Sequence, residues 1–251
     1  MFTDTHCHFE PQYFDNYKSI IEKAYSNGIN RLIASGCSMV GNEESIKLSN
    51  EFDNIYSTIG YHPDQAEIIG EEEMDVLENQ IINNKDKVIG IGEIGLDYHY
   101  DGYNKENQIK LFRKQLELAV KYNLPVVIHS RDAVQDTIDV LKDYKLKGVI
   151  HSFSGSFEVA KIYIGMGFKL GINGVVTFKN CSLKDVLVKI EPSNIVLETD
   201  SPYLSPEPVR GTKNDSSNII YIAQFIADLY NITLEKLSEI TNKSISEIFD
   251  I

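Results

Sequence analysis

Cysteine is scarce in this chain of 251 residues, and its three copies stand far apart at Cys7, Cys37 and Cys181. An odd number of widely spaced cysteines does not indicate a disulfide framework. No apolar run approaches the roughly 20 residues that a membrane-spanning helix needs, and the amino terminus lacks the basic and apolar regions of a signal peptide. These absences predict a protein of the reducing cytoplasm, without a membrane partner.

Positive charge is also in short supply, because the formal net charge is -13 at pH 7. Such a balance argues against broad electrostatic binding to duplex nucleic acid. It does not exclude a phosphate substrate, since bound divalent ions would reverse the sign of the charge locally. An acidic shell around a cationic centre favours a small substrate or a strand end over a long duplex.

Strand-like apolar runs alternate with helical patterns along the whole chain, as they do in parallel α/β folds. The clearest helix is predicted over Lys105–Tyr122, where apolar residues recur at spacings of three and four before the stop at Pro125. Eight strands are predicted, at residues 2–4, 31–35, 55–60, 88–91, 126–129, 149–151, 169–172 and 195–198. This pattern predicts a (β/α)8 TIM barrel that forms one domain over residues 1–251.

The alternative fold is an open, doubly wound sheet. Residues 90–95 do match the G-x-G-x-x-G pattern of a dinucleotide-binding loop. Such a loop should open a helix, whereas Leu96-Asp97-Tyr98 follows here, so the match is weak. The closed barrel is therefore the better prediction.

Histidines and carboxylates recur at the ends of the predicted strands. His6 and His8 are two residues apart, so their side chains share one face of a strand and Cys7 takes the other. Four other predicted strands are followed or closed by Glu93, His129, His151 and Asp200. Taken singly, each has an ordinary explanation as a buried histidine, an ion-pair partner or a cap. Together they would converge at one mouth of a barrel, where their desolvation and repulsion would be costly without a metal.

Two divalent ions are expected, one held by His6 and His8 and the other by His129 and His151. Glu93 can bridge them, because a carboxylate has two oxygens. Asp200 is expected to bind the first ion and to take the proton from its water, whose pKa the ion lowers towards about 7. Nitrogen-rich ligation suits Zn, Mn, Fe or Ni, and the carboxylates leave Mg open. The sequence does not choose among these metals.

Further polar residues are expected around the same mouth. His62 follows the third predicted strand, where it either touches substrate or caps the loop. Arg131 and Arg210 can each hold a phosphate with a planar guanidinium, although a surface ion pair explains either equally well. Asp97 can orient a ligand histidine, whereas His99 is expected to be an exposed loop residue.

The motifs together closely resemble the TatD family of metal-dependent hydrolases, which are often described as deoxyribonucleases. The resemblance runs over nearly the whole chain and rests on residues 4–8, 60–63, 92–98, 128–133, 151–155 and 198–204. It implies a barrel of the metallo-dependent hydrolase type with a divalent-metal site. In that site the ligand positions are occupied by His6, His8, Glu93, His129, His151 and Asp200.

The expected activity is cleavage of phosphodiester bonds at DNA ends or in single strands, with DNA or a short oligonucleotide as the substrate. The alternative is a barrel amidohydrolase or esterase that acts on a small metabolite or an aminoacyl-type ester. Relatives that bridge two metals with a modified lysine are disfavoured, since the fourth strand offers Glu93 and no lysine before Lys105. A structural metal in a non-enzymatic barrel is a third hypothesis. Such sites are rich in cysteine, and Cys37 and Cys181 lie away from the ligand motifs.

Overall fold

The computed structural model describes residues 1–10 and 12–251. Its strands are β1 (Phe2–Cys7), β2 (Ile29–Ser35), β3 (Ile55–Ile59), β4 (Val88–Asp97), β5 (Val126–Arg131), β6 (Gly148–Ile150), β7 (Phe168–Ile172) and β8 (Ile195–Leu197). Its helices are α1 (Tyr17–Ser26), α2 (Met39–Glu51), α3 (Glu71–Asn83), α4 (Lys105–Tyr122), α5 (Val134–Leu141), α6 (Phe157–Gly165), α7 (Leu183–Leu187), α8 (Ile219–Tyr230) and α9 (Leu234–Phe249). Within these ranges, no helix combines the length and apolarity that a membrane crossing requires.

The strands pair in sequence order, and every pair is parallel. The two ends of the sheet meet where β1 approaches the segment after β8. There the amide of His8 donates to the carbonyl of Ser201 at 2.8 Å, and the amide of Asp200 donates to the carbonyl of His6 at 2.9 Å. The sheet is therefore a nearly closed (β/α)8 barrel, which confirms the predicted fold and excludes the open, doubly wound alternative.

All eight predicted strands coincide with observed ones, and β4 differs most in length. The sequence prediction ended it at Ile91, whereas the strand continues to Asp97. Its register with β5 shifts between Ile91 and Ile94, after which Gly95 pairs with His129. The extra length therefore comes from continued pairing with β5 beyond an irregularity that a simple hydrophobic pattern does not reveal.

Gly95 explains the glycine pattern of β4. Its φ of 148° is a conformation that residues with a side chain rarely adopt, and a Cβ there would overlap the carbonyl oxygen of His129. A glycine is needed because the backbones of β4 and β5 approach closely at this point. The glycines of residues 90–95 thus belong to a strand, in agreement with the rejection of a dinucleotide-binding loop.

The inside of the barrel is filled by aliphatic side chains from the strands, and α9 closes its lower end. The buried residues of this interior cluster are Ile33, Ile89, Val127, Val149, Val196, Ile245, Ile248 and Phe249. Because strand side chains alternate in direction, Val127 and Val149 share the inward face with His129 and His151 two residues later. At the amino end of β1, Ser238 of α9 donates to the carbonyl of Met1 at 2.5 Å. The helix thus forms an apolar floor, and the polar residues lie at the opposite end.

The helix α4 shows how the outer layer is specified. It spans the residues predicted from the sequence, begins after Asn104, whose side chain accepts from the amide of Asn107, and ends at Asn123 in the left-handed conformation with φ 53°. Phe112 and Leu116 lie on its buried face. Each such apolar side chain contributes roughly 1.5–3 kcal/mol when it is removed from water.

Replacement of Gly95 tests the close approach of β4 and β5. We expect Gly95→Ala to lower the free energy of unfolding by about 2–4 kcal/mol, because strain and overlap add. The matched control is Gly102→Ala, whose φ of 87° is also positive but whose Cβ would meet nothing within 4 Å. Urea denaturation of both variants measures the difference. Equal losses would contradict the predicted backbone overlap.

Candidate metal centre

The carboxylate of Glu93 lies at the centre of a cluster at the carboxyl end of the barrel. Its Oε2 is 3.4 Å from Nε2 of His6 and 3.8 Å from Nε2 of His8. Its Oε1 is 2.8 Å from Nδ1 of His129 and 3.8 Å from Nε2 of His151. The two oxygens therefore face two different pairs of histidines, which is the division expected of a bridging carboxylate.

The first half of the cluster has the dimensions of a single ion site. The Nε2 atoms of His6 and His8 are 3.1 Å apart. Oδ1 of Asp200 lies 3.7 Å from the first of these atoms and 3.6 Å from the second. Two nitrogens bound to a tetrahedral ion at 2.0–2.1 Å would be about 3.3 Å apart. The nitrogen and oxygen donors thus fit a divalent cation.

Serine 35 fixes the two histidines of this half from behind. Nδ1 of His8 lies 2.9 Å from the carbonyl oxygen of Ser35. A carbonyl only accepts hydrogen bonds, so this nitrogen carries a proton and Nε2 is the atom directed at the cluster. Nδ1 of His6 lies 3.1 Å from the hydroxyl of the same serine, which also accepts from Thr58.

Carboxylates stand behind the histidines of the second half. Nε2 of His129 is 3.0 Å from Asp97, so both ring nitrogens face carboxylate oxygens. Nδ1 of His151 is 3.0 Å from Oε1 of Glu198 in an ion-pair contact, and that oxygen accepts a hydrogen bond from the amide of Ser152 at 2.6 Å. Oε2 of Glu198 is buried without a hydrogen-bond partner among the described residues. Sequence reasoning identified Asp97 but missed Glu198, although its position two residues after Val196 signals an inward side chain.

A buried aspartate connects the two ends of the sheet beneath the cluster. Asp4 is fully buried and accepts from the amide of Thr199 at 2.9 Å and from its hydroxyl at 2.5 Å. Burial raises the pKa of Asp4 to about 7. Asp200, which directly follows Thr199, has φ 56°. This strained backbone conformation persists only when its surroundings hold it. Asn214 contributes by donating to the carbonyl of Thr199 at 3.0 Å.

The pKa values within the cluster follow from its mixed charges. Burial favours the neutral acid, but the imidazoles of His151, His129 and His6 hold the pKa of Glu93 well below its usual range. The pKa of Asp200 is lowered in the same way. Burial opposes protonation of the histidines, but at three of them the carboxylates prevail and raise the pKa of His8 and His129 to about 9 and that of His151 to about 10. At His6, burial and the neighbouring His151 prevail and lower the pKa. The metal-free cluster therefore combines imidazolium groups and carboxylates with a neutral His6.

The structure brings His62 to this centre but places the two predicted arginines elsewhere. The ring centroid of His62 is 4.5 Å from that of His129. Nδ1 of His62 also accepts from the amide of Asp64 at 3.3 Å, so the predicted role as a loop cap is confirmed. Arg131 is exposed and donates to the hydroxyl of Tyr100 at 3.2 Å. Arg210 packs its guanidinium over Phe178, with Cζ 4.1 Å from the ring centroid. Among the described residues, neither arginine contacts a residue of the cluster. Their role in substrate binding stays a prediction.

The cysteines divide between the core and the cluster. Cys7 is buried and its thiol contacts the carbonyl of Ile33 at 3.4 Å, in agreement with its predicted place behind the histidines. The expectation that Cys37 lies away from the ligand motifs is wrong. Its sulfur is 3.9 Å from Oε1 of Glu10, and the two residues form a group with His8. Cys37 lies two residues beyond the carboxyl end of β2 and before α2, so it stands at the mouth beside the segment that follows β1.

A family model described as TatD related DNase matches residues 3–250. The chain belongs to the TatD family. It is 36% identical over 256 residues to the uncharacterized metal-dependent hydrolase YabD of Bacillus subtilis, with all of both chains covered. The crystal structure of YjjV, a TatD homologue from Escherichia coli, superimposes with a TM-score of 0.94 at 26% identity over 100% of this chain and 98% of that one. A TatD family hydrolase from Entamoeba histolytica gives 0.89 at 26% identity, over 99% and 97%.

These similarities make the protein a metal-dependent hydrolase of the TatD family. The function is supported at that level by both the sequence relatives and the imidazole and carboxylate cluster.

Proton release tests the electrostatic state of the cluster. At pH 7 the raised pKa values of His8, His129 and His151 keep these rings protonated without metal, and an ion must displace the protons that occupy its ligand nitrogens. We expect Mn²⁺ binding to release protons, so that its calorimetric enthalpy varies with the ionisation enthalpy of the buffer.

The same pKa values determine how the stability of the metal-free fold changes with pH. Raised histidine pKa values stabilise the metal-free fold below about 6.5, and this stabilisation is lost as the pH rises through about 9–10. Metal affinity should increase over the same interval. A buffer-independent enthalpy at pH 7 would contradict the protonated cluster, and a variant of the exposed histidine, His99→Gln, serves as the control that should behave as the wild type.

Proposed function

We propose that this protein is a divalent-metal-dependent phosphodiesterase that cleaves DNA at strand ends or in single strands. The observation that supports it is the division of the Glu93 oxygens between two histidine pairs, because two ions held about 3.5–4 Å apart suit in-line displacement at phosphorus. In this proposal His6, His8 and Asp200 would hold one ion, His129 and His151 would hold the other, and Glu93 would contribute to both sites. When bound, the ions would lower the pKa of water and offset charge on the phosphate.

Asp200 is the proposed base. Its pKa is held below the usual range, with burial opposed by His151, His8 and His6, so the carboxylate is ionised at neutral pH. Its Oδ1 lies among the Nε2 atoms of three histidines at 3.6–3.7 Å. From there it can take the proton of an attacking water at the centre of the cluster. The hydrogen bonds of Thr199 to Asp4 hold the segment that carries it.

Glu93 and His62 have complementary roles in the proposal. Glu93 is buried and ionised, and it keeps the two halves of the centre at a fixed separation. His62 lies beside His129, and its Nδ1 is 3.0 Å from Oδ1 of Asp64. The other ring nitrogen is left for a substrate phosphate or leaving group. Arg131 and Arg210 would reach a substrate only if it extends beyond the centre.

Substitution of the proposed base tests this function directly. We expect purified protein with Mn²⁺ or Mg²⁺ to shorten an end-labelled single-stranded oligonucleotide, and Asp200→Ala to lower the rate by about 10²–10⁴-fold. His99→Ala, at an exposed loop histidine, is the control that should retain the rate. Cyclic amides and simple esters are assayed in parallel. Turnover of those compounds with the oligonucleotide untouched would instead favour the amidohydrolase or esterase alternative.

The carboxylates behind the second histidine pair give a separate test. We expect Glu198→Gln or Asp97→Asn to weaken binding of one ion by about 10–100-fold, because a hydrogen-bonded carboxylate orients a ligand imidazole and raises its basicity. Competition with a chromophoric chelator measures affinity and stoichiometry. Glu207→Gln, an exposed glutamate at 49% side-chain exposure, is the matched control. Two ions bound with wild-type affinity in the first two variants would contradict the proposed ligation by His129 and His151.

A further inference from the structure

A pair of tyrosines stands at the rim of the centre, on the side of β1 and β8. Tyr13 follows β1, and its ring centroid lies 6.5 Å from that of His8. Tyr203 follows β8, and its amide donates to the carbonyl of Asp200 at 2.8 Å. Both tyrosines are therefore joined through short connections to residues of the candidate metal centre.

The pair is held in a fixed arrangement that leaves aromatic surface accessible. The rings meet edge to face, with centroids 5.7 Å apart and planes at 76°, and the hydroxyls hydrogen-bond to each other at 2.9 Å. The buried side chain of Asn214 donates to the carbonyl of Tyr203 at 2.6 Å. Tyr203 is nevertheless 49% exposed. A rigid ring with an accessible surface binds a flat partner at little conformational-entropy cost.

A third tyrosine on the rim, Tyr100, is arranged differently from Tyr13 and Tyr203. Tyr100 is exposed, but Cζ of Arg131 lies 5.2 Å from its ring centroid and Nη1 donates to its hydroxyl. A cation thus already covers one face of this ring. Tyr100 follows β4 and contacts Arg131 at the end of β5. Because β5 lies opposite β1 in a barrel of eight sequentially ordered strands, Tyr100 lies across the mouth from Tyr13.

Charge further favours recognition through aromatic rings. The net charge of -13 leaves little general attraction for a phosphate backbone. Stacking depends on π surface and tolerates this balance. One local cation is available, since the exposed Lys213 donates to the carbonyl of Tyr13 and lies 5.3 Å from the ring of Phe14. An aromatic pair with one neighbouring ammonium group matches a nucleotide with its phosphate.

We propose that Tyr13 and Tyr203 form a stacking platform for the unpaired base of the nucleotide that adjoins the scissile phosphodiester, with Lys213 beside the neighbouring phosphate. This inference rests on the proposed phosphodiesterase function. A base inside a duplex is already stacked and paired, so the platform selects single strands and frayed ends. Loss of one stacked base should lower binding by roughly 5- to 150-fold.

The experiment compares two single-stranded oligonucleotides that differ only in one base. One has every base, and the other carries a stable tetrahydrofuran residue, which has no base, next to the cleaved bond. We expect the wild type to prefer the complete substrate at least about fivefold in kcat/KM, and Tyr203→Ala to abolish the preference. Stopped-flow fluorescence of 2-aminopurine at that position, recorded before turnover, should show quenching with the wild type and none with Tyr203→Ala.

Three further variants identify the cause. Tyr13→Phe and Tyr203→Phe keep the rings and should keep most of the preference, whereas Tyr221→Ala, at a 39% exposed tyrosine on α8, should behave as the wild type. Equal cleavage of both oligonucleotides by the wild type would overturn the platform while leaving the phosphodiesterase function intact. Cleavage of neither would count against the proposed function itself. A preference that persists in Tyr203→Ala would also overturn the platform, and the wild-type comparison does not depend on how any variant folds.

Discussion

The arrangement of this centre depends on one carboxylate that faces two ways. Glu93 is buried between two pairs of imidazoles, and each of its oxygens serves one pair. A buried anion of this kind is costly unless it is surrounded by cationic partners or hydrogen-bond donors. The histidines provide that compensation in the metal-free protein, and divalent ions would provide it in the loaded protein. The same geometry therefore serves folding and metal binding.

The backbone around Glu93 is built for that position. Gly95 of β4 pairs with His129 of β5, and the register shift before it lets the side chain of Glu93 reach Nδ1 of His129. At the other side of the barrel, Asp4 accepts two hydrogen bonds from Thr199 and so fixes the segment that presents Asp200. Residues from the first, fourth, fifth, sixth and eighth strands meet because both of these joints hold. The joints are polar or glycine-based, whereas the rest of the barrel depends on apolar packing.

Much of this could be predicted from the sequence because barrel strands carry a simple code. Side chains two residues apart in a strand share a face. The sequence therefore predicts that His6 and His8 point to one side and that Cys7 points into the core. The alternation of strands and helices predicted the barrel. The supporting residues were less accessible. Ser35 acts partly through its backbone carbonyl, which has no sequence signature. Glu198 was missed because Asp200, two residues later, was assigned as the ligand of the same motif. Cys37 approaches Glu10 because the two residues lie just beyond the carboxyl ends of the neighbouring strands β2 and β1.

The apolar floor formed by α9 limits how substrate and product can move to and from the centre. Because one end of the barrel is closed, a ligand reaches and leaves the centre through the same opening. A polymer cannot pass through the barrel as a strand passes through a ring-shaped enzyme. In the proposed function, the cut fragment would therefore leave past the same tyrosines at the rim, and its departure would compete with the arrival of the next chain.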